Sequence, residues 1–257
     1  MKIGVYAPIE KAKMCIDAGF DFVEITACGA WAMTDEQLDE IAALNLPIYS
    51  ANCMFPSFYP GTEERIRVVG PERNEEFLNE YYGEVMRKCA KLGIKTVVFG
   101  SGGQRRIPEG MSKEEGLAQY RQVCTSIAEE AEKYGITLVV EPLNYTETNS
   151  INTVKEGFEQ AKLINRPNVK LLMDIYHVLK NEEDIDYSDE LIQSLYHVHW
   201  SNPETRKLPQ EVTEWQKKFR DILVNGGFNG VISIETAAPQ NEEEARNARQ
   251  TIRELFE

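Results

Sequence analysis

The chain has 257 residues, 42% of them apolar, with 42 acidic side chains against 28 basic ones and a net charge of −14. This composition supports a buried core and, with 10 Phe and 11 Tyr, excludes a disordered chain. The negative surface opposes phosphate backbones and anionic bilayers, so neither nucleic acid nor membrane is an expected partner; a small anion on a local basic loop is compatible with it.

The first short β-branched run is Ile3–Tyr6. Runs of the same kind follow at Phe22–Ile25, Pro47–Asn52, Thr96–Phe99, Thr137–Val140, Val169–Met173, Tyr196–Trp200 and Val231–Ile234. Their lengths suit buried parallel strands. Thr34, with Gln37 three residues on, has the form of a capping box that opens a helix. Phe77, Tyr81, Val85, Cys89 and Leu92 share one helical face over residues 74–92. Leu117, Tyr120, Cys124, Ile127, Ala131 and Tyr134 do so over 114–134. Gly19, Gly93, Gly135 and Gly227 each stand where a helix would stop before a strand. The segment Met54–Arg73, with Pro56, Pro60, Gly61, Gly70 and Pro71, shows no clear element and is expected to cover a substrate. The last helix is expected at Glu242–Leu255.

Eight strands, each followed by a helix, predict an α/β fold: one (β/α)8 TIM-barrel domain over residues 1–257. No Gly-rich fingerprint follows the first strand, which disfavours a dinucleotide-binding sheet. Cys15, Cys28, Cys53, Cys89 and Cys124 are odd in number and lack a CxxC pair, so reduced thiols are expected. The opening MKIGVYAP does not read as a signal peptide, and a cytoplasmic location is expected.

In such a barrel the chemistry belongs at the C-terminal ends of the strands. Glu141 ends strand five, Asp174 strand six and Glu235 strand eight, while His197 and His199 lie on strand seven. Several buried carboxylates together demand a compensating cation. Glu141, Asp174, His199 and Glu235 offer three carboxylates and one imidazole, a set that suits manganese, magnesium or cobalt, with zinc also admissible. His197 points to the same side as His199 but lies deeper and reads as structural. The loop from Gly100 to Gly110 carries Arg105 and Arg106, which either grip a phosphate or carboxylate or form a solvated turn. Tyr6, Trp31, Phe55 and Trp200 are either an apolar wall for a sugar or core packing.

The stretches EPLNYTETNSINT from Glu141, MDIYH from Met173, HVHWSN from His197 and SIET from Ser233 resemble the xylose-isomerase-like barrels, in particular the ketose 3-epimerases. The resemblance implies a metal-dependent sugar or sugar-phosphate isomerase or epimerase. It implies that Glu141, Asp174, His199 and Glu235 bind the metal, manganese first, and that Glu141 and Glu235 exchange protons with an enediolate. Glu147 and His177 would contact substrate oxygens. Arg206 stands seven residues after His199, where the family has an arginine at six, and is taken as its equivalent. The implied partner is a small sugar or sugar phosphate, with homo-oligomers common in the family.

Two alternatives remain open at this point. One is a metal-dependent dehydratase or lyase acting on a keto-cyclitol or dehydroshikimate-like substrate. The other is a non-catalytic metal-binding subunit. Relatives that need further histidines, the apurinic endonucleases and xylose isomerase proper, are disfavoured because no histidine precedes His177.

Overall fold

The computed structural model describes residues 1–257. Its eight strands are β1 (Lys2–Tyr6), β2 (Phe22–Thr26), β3 (Ile48–Asn52), β4 (Thr96–Phe99), β5 (Thr137–Val140), β6 (Val169–Asp174), β7 (Leu195–Trp200) and β8 (Val231–Ile234). They pair in parallel in chain order, and β8 returns to β1 with Ser233 opposite Gly4, closing the barrel.

The expected helices over 74–92 and 114–134 are α4 (Glu75–Lys91) and α5 (Lys113–Glu132). Thr34 forms the capping box with Gln37 that opens α3 (Asp35–Ala43). Gly19, Gly93, Gly135 and Gly227 all adopt positive φ where helices stop. The remaining helices of the outer ring are α1 (Ile9–Asp17), α6 (Val154–Ile164), α8 (Asp189–Ser194), α9 (Glu214–Asn225) and α10 (Glu242–Phe256).

Two helices exceed the eight expected, α2 (Ala27–Ala32) and α7 (Ile175–Lys180). Each starts at the C-terminal end of a strand, where sequence periodicity is too short to register it. Asp174 closes β6 and accepts a hydrogen bond from the Tyr176 N–H at 2.8 Å, which caps α7 at once.

Alternation along the strands separates two apolar layers. Val5, Val23, Phe99, Val140, Met173, Val198, Trp200 and Ile234 face outward into the helices. Val98, Val139 and Leu172 fill the middle of the lumen. Phe22 also lies inside, with its ring centroid 5.3 Å from Tyr49 and 6.5 Å from His197. The inward positions one step beyond Phe22, Val139 and Leu172 are Glu24, Glu141 and Asp174. Trp200 is therefore not part of a sugar wall: it is fully buried outside the barrel, 5.3 Å from the ring of Phe256.

The segment 54–73 is anchored rather than free. Met54, Phe55, Ile66, Val68 and Val69 are buried in it. The Val68 N–H donates to the Gln104 carbonyl at 2.9 Å, and Gln104 Nε2 donates to the Pro56 carbonyl at 2.8 Å. No helix is long and apolar enough to cross a membrane.

A Cβ on Gly4 would overlap the Phe22 ring. Gly4→Val is accordingly expected to lose about 1–3 kcal/mol through overpacking of the lumen. The urea midpoint measures this; an unchanged midpoint would contradict the packing described.

Candidate metal centre at the barrel mouth

Glu141, Asp174, His199 and Glu235 stand at successive strand ends, and each places a ligand-type atom within 4.8 Å of the others. His199 Nδ1 lies 2.9 Å from Glu141 Oε1 and 3.5 Å from Glu235 Oε2. His199 is fully buried, Asp174 and Glu141 nearly so, and Glu235 is 15% exposed. Asn52, at the end of β3, donates from Nδ2 to Glu235 Oε1 at 2.9 Å. A Cβ on Gly100 would overlap Glu141 Oε2, so glycine after β4 leaves room for that carboxylate.

Asp174, Glu141 and His199 are electrostatically displaced from their ordinary states. Burial pushes Asp174 up to about 7, against the pull of Arg206 and with repulsion from Glu235. Burial also raises Glu141, although His199 opposes it. Burial would lower His199, but the carboxylates of Glu235, Glu24 and Glu141 outweigh it and hold the imidazole well above its usual value. The cluster needs more positive charge than one imidazolium and one guanidinium supply. Three hard carboxylates and an imidazole at this spacing fit a divalent cation.

The expected substrate residues ring the cluster. Arg206 donates from its guanidinium to Glu235 Oε2 at 2.8 Å, and lies 3.6 Å from Asp174 Oδ2 and 3.7 Å from Glu147 Oε1. Its backbone is left-handed, with φ +53°, and its N–H donates to the Asn202 carbonyl at 2.8 Å. His177 Nε2 lies 3.4 Å from Asp174 Oδ2, and Nδ1 lies 2.8 Å from Asn144 Nδ2. Burial, reinforced by Arg206, drives the His177 imidazole down to about 2, so it is neutral. Asn144 also holds Glu147, donating to its Oε1 at 2.7 Å.

Arg105 does not pair with Arg106 in an anion grip. Arg105 is fully buried, donating to the Glu141 carbonyl at 2.6 Å with its guanidinium 5.6 Å from the Tyr120 ring centroid. Arg106 donates to the Thr146 carbonyl at 3.2 Å. A Cβ on Gly102 would meet Leu143 and the Glu147 carbonyl within 3 Å. At Gly100 and Gly102 the loop after β4 thus makes room for the site's own chain. His197 is structural, 2.8 Å from Ser233 Oγ, and burial takes it down to about 3.

Sequence reading missed Glu24, Ser50 and Asn52. Glu24 sits in an apolar run with inward parity, and a lone acid inside such a run was the available cue. A cleft of 1170 Å³ lies at the opposite end, lined by residues such as Lys2, Tyr49, Lys170 and Tyr196, away from this cluster.

A family model of the xylose isomerase-like TIM barrel matches residues 12–255, and the chain belongs to that family. It is 26% identical over 202 residues to an inosose isomerase of Bacillus licheniformis, covering 71% of this chain and 69% of the relative. A D-psicose 3-epimerase of Ruminiclostridium cellulolyticum is 24% identical, with 84% and 74% covered. Among solved structures, a D-psicose 3-epimerase crystallised in the presence of D-fructose superimposes with a TM-score of 0.80 at 20% identity, over 100% of this chain and 99% of that one. The IolI protein, solved with a bound zinc atom, gives a TM-score of 0.73 at 20% identity, over 100% and 98%.

Without a divalent ion, Arg206 is the side-chain guanidinium that offsets Asp174 and Glu235. Arg206→Ala should therefore cost about 1–2 kcal/mol in chelated protein, discounted for its 31% exposure. Added manganese should recover more stability in the variant than in the parent. Equal unfolding midpoints with and without the ion in both proteins would contradict this balance.

Proposed function

From membership of this family, we propose that the protein is a metal-dependent ketose epimerase or isomerase that moves a proton on a carbon beside a carbonyl. The observation that carries the reading is the convergence of Glu141, Asp174, His199 and Glu235 to within 4.8 Å at the mouth of the barrel. Manganese is the first choice of ion, with magnesium, cobalt or zinc as alternatives; the IolI neighbour, solved with a bound zinc atom, supports a divalent metal. When bound, such an ion would polarise a ketose carbonyl and its neighbouring hydroxyl, acidifying the C–H bond between them.

Glu141 and Glu235 are the proton carriers. Burial raises the affinity of Glu141 for a proton, which strengthens it as a base once it is ionised. Glu235 is aimed by Asn52 at 2.9 Å and by Arg206 at 2.8 Å. One carboxylate removes the proton and the other returns one to the opposite face, which inverts the carbon. A single carboxylate working on one face would restore the starting stereochemistry. Arg206, His177 and Glu147 hold the substrate: the guanidinium and neutral imidazole hydrogen-bond its oxygens, and the Glu147 carboxylate accepts from a hydroxyl. Because Arg105 is internal, it cannot join Arg106 in holding a phosphate, and a free sugar is the substrate favoured over a sugar phosphate.

The relationship to inosose isomerases supports a second reading, isomerisation of an inosose by the same two carboxylates.

Incubating the manganese-loaded protein with free ketoses, phosphorylated ketoses and inososes in D₂O, followed by NMR, separates these readings. Deuterium is expected at C3 of a free ketose. Incorporation only into an inosose would select the second reading, and none into any substrate would contradict both. Glu141→Gln or Glu235→Gln should lower the exchange rate by about 10²–10⁴-fold while the fold persists. A loss under tenfold would remove that residue from proton transfer.

A further inference from the structure

Glu24 is a carboxylate that the proton-transfer scheme does not use. It lies on β2 with its side chain fully buried, inside the barrel beneath the metal centre. Oε1 is 3.1 Å from His199 Nε2. Both atoms are buried and neither makes a hydrogen bond elsewhere or with the other; they meet as a close ionic contact. Oε2 accepts from Ser50 Oγ and stands 3.7 Å from His197 Nε2. His197 Nε2 is itself engaged with Ser233 Oγ at 2.8 Å. No lysine or arginine forms an ion pair with Glu24; its ionic contacts are His197 and His199.

His199 is thus clamped at both ring nitrogens, with Nδ1 toward Glu141 and Glu235 and Nε2 toward Glu24. A neutral imidazole has one lone pair and one ring proton. For Nδ1 to offer its lone pair to a cation among Glu141, Asp174 and Glu235, the proton must stand on Nε2 and needs an acceptor there. Glu24 Oε1, 3.1 Å from Nε2 and otherwise unpartnered, is the atom placed to accept it. Ser50, donating to the other oxygen, keeps the carboxylate from rotating away.

We infer that Glu24 is a positioning residue that fixes His199 as the Nε2–H tautomer and turns its Nδ1 lone pair toward the metal centre. The inference rests on the metal-centre reading above. The barrel suits this role because the two side chains come from β2 and β7, on rigid strands of one closed sheet. A carboxylate accepting from the distal N–H of a ligating imidazole also makes that imidazole a better donor.

The chain has three histidines, so ¹⁵N-histidine labelling of the zinc-loaded protein gives a readable NMR spectrum. In the parent, His199 is expected to show Nδ1 bound to zinc and a protonated Nε2 with a strongly downfield proton. Glu24→Leu should weaken zinc binding by about 10–100-fold in chelator competition. It should also shift the Nε2–H resonance upfield or broaden it by exchange. Glu24→Gln, nearly the same shape, retains an amide oxygen as a neutral acceptor; its Nε2–H proton should move upfield while the tautomer persists. Zinc affinity within twofold of the parent in Glu24→Leu, or an unmoved Nε2–H proton in Glu24→Gln, overturns the assignment to Glu24 and leaves the metal centre standing. A parent protein that takes up no zinc overturns the metal centre and this assignment together.

Discussion

Mutual repulsion of carboxylates held at one end of a closed barrel is the constraint around which the rest of the molecule is arranged. Glu24, Glu141 and Asp174 are buried there, with Glu235 beside them. The positive groups that oppose them are His199 and Arg206. In a low-dielectric interior this imbalance costs several kcal/mol, and the displaced protonation of Asp174 and Glu141 expresses it. The side chains cannot relax apart, because each comes from a different strand of one hydrogen-bonded cylinder. A dication is the simplest resident that removes the repulsion, which is why the geometry is read as a metal centre.

The stability that tolerates this arrangement comes from elsewhere in the fold. The outer apolar layer between strands and helices and the plug of Val98, Val139 and Leu172 in the lumen pack without charge. His197 marks the boundary between the plug and the polar mouth, neutral and tied to Ser233. Above it, α7 begins directly at Asp174 and carries His177 back over the site, while the turn after β7 folds Arg206 inward. The mouth is thus assembled from strand ends and tight turns. The long segment 54–73 is pinned to the loop after β4.

Much of this was legible in the sequence. Strand recurrence gives the barrel, and the acids that close strands five, six and eight give the cluster, because both depend on local runs. The two additional short helices were hidden by their length, and the inward role of Glu24, Ser50 and Asn52 by the apolar character of their strands. Parity could have placed two of the misread residues. The alternation that sets His197 and His199 inward sets Trp200 outward, and with Phe22 in the lumen it sets Glu24 inward. The burial of Arg105 depends on Tyr120 and the Glu141 carbonyl, distant in sequence and joined only by folding. No local pattern reports it.

The most direct test of the central claim is anomalous diffraction from crystals soaked in manganese. The account predicts one strong peak within coordination distance of Glu141, Asp174, His199 and Glu235, with Arg206 withdrawn from Asp174. Crystals that diffract well but show no peak among those four side chains would contradict it.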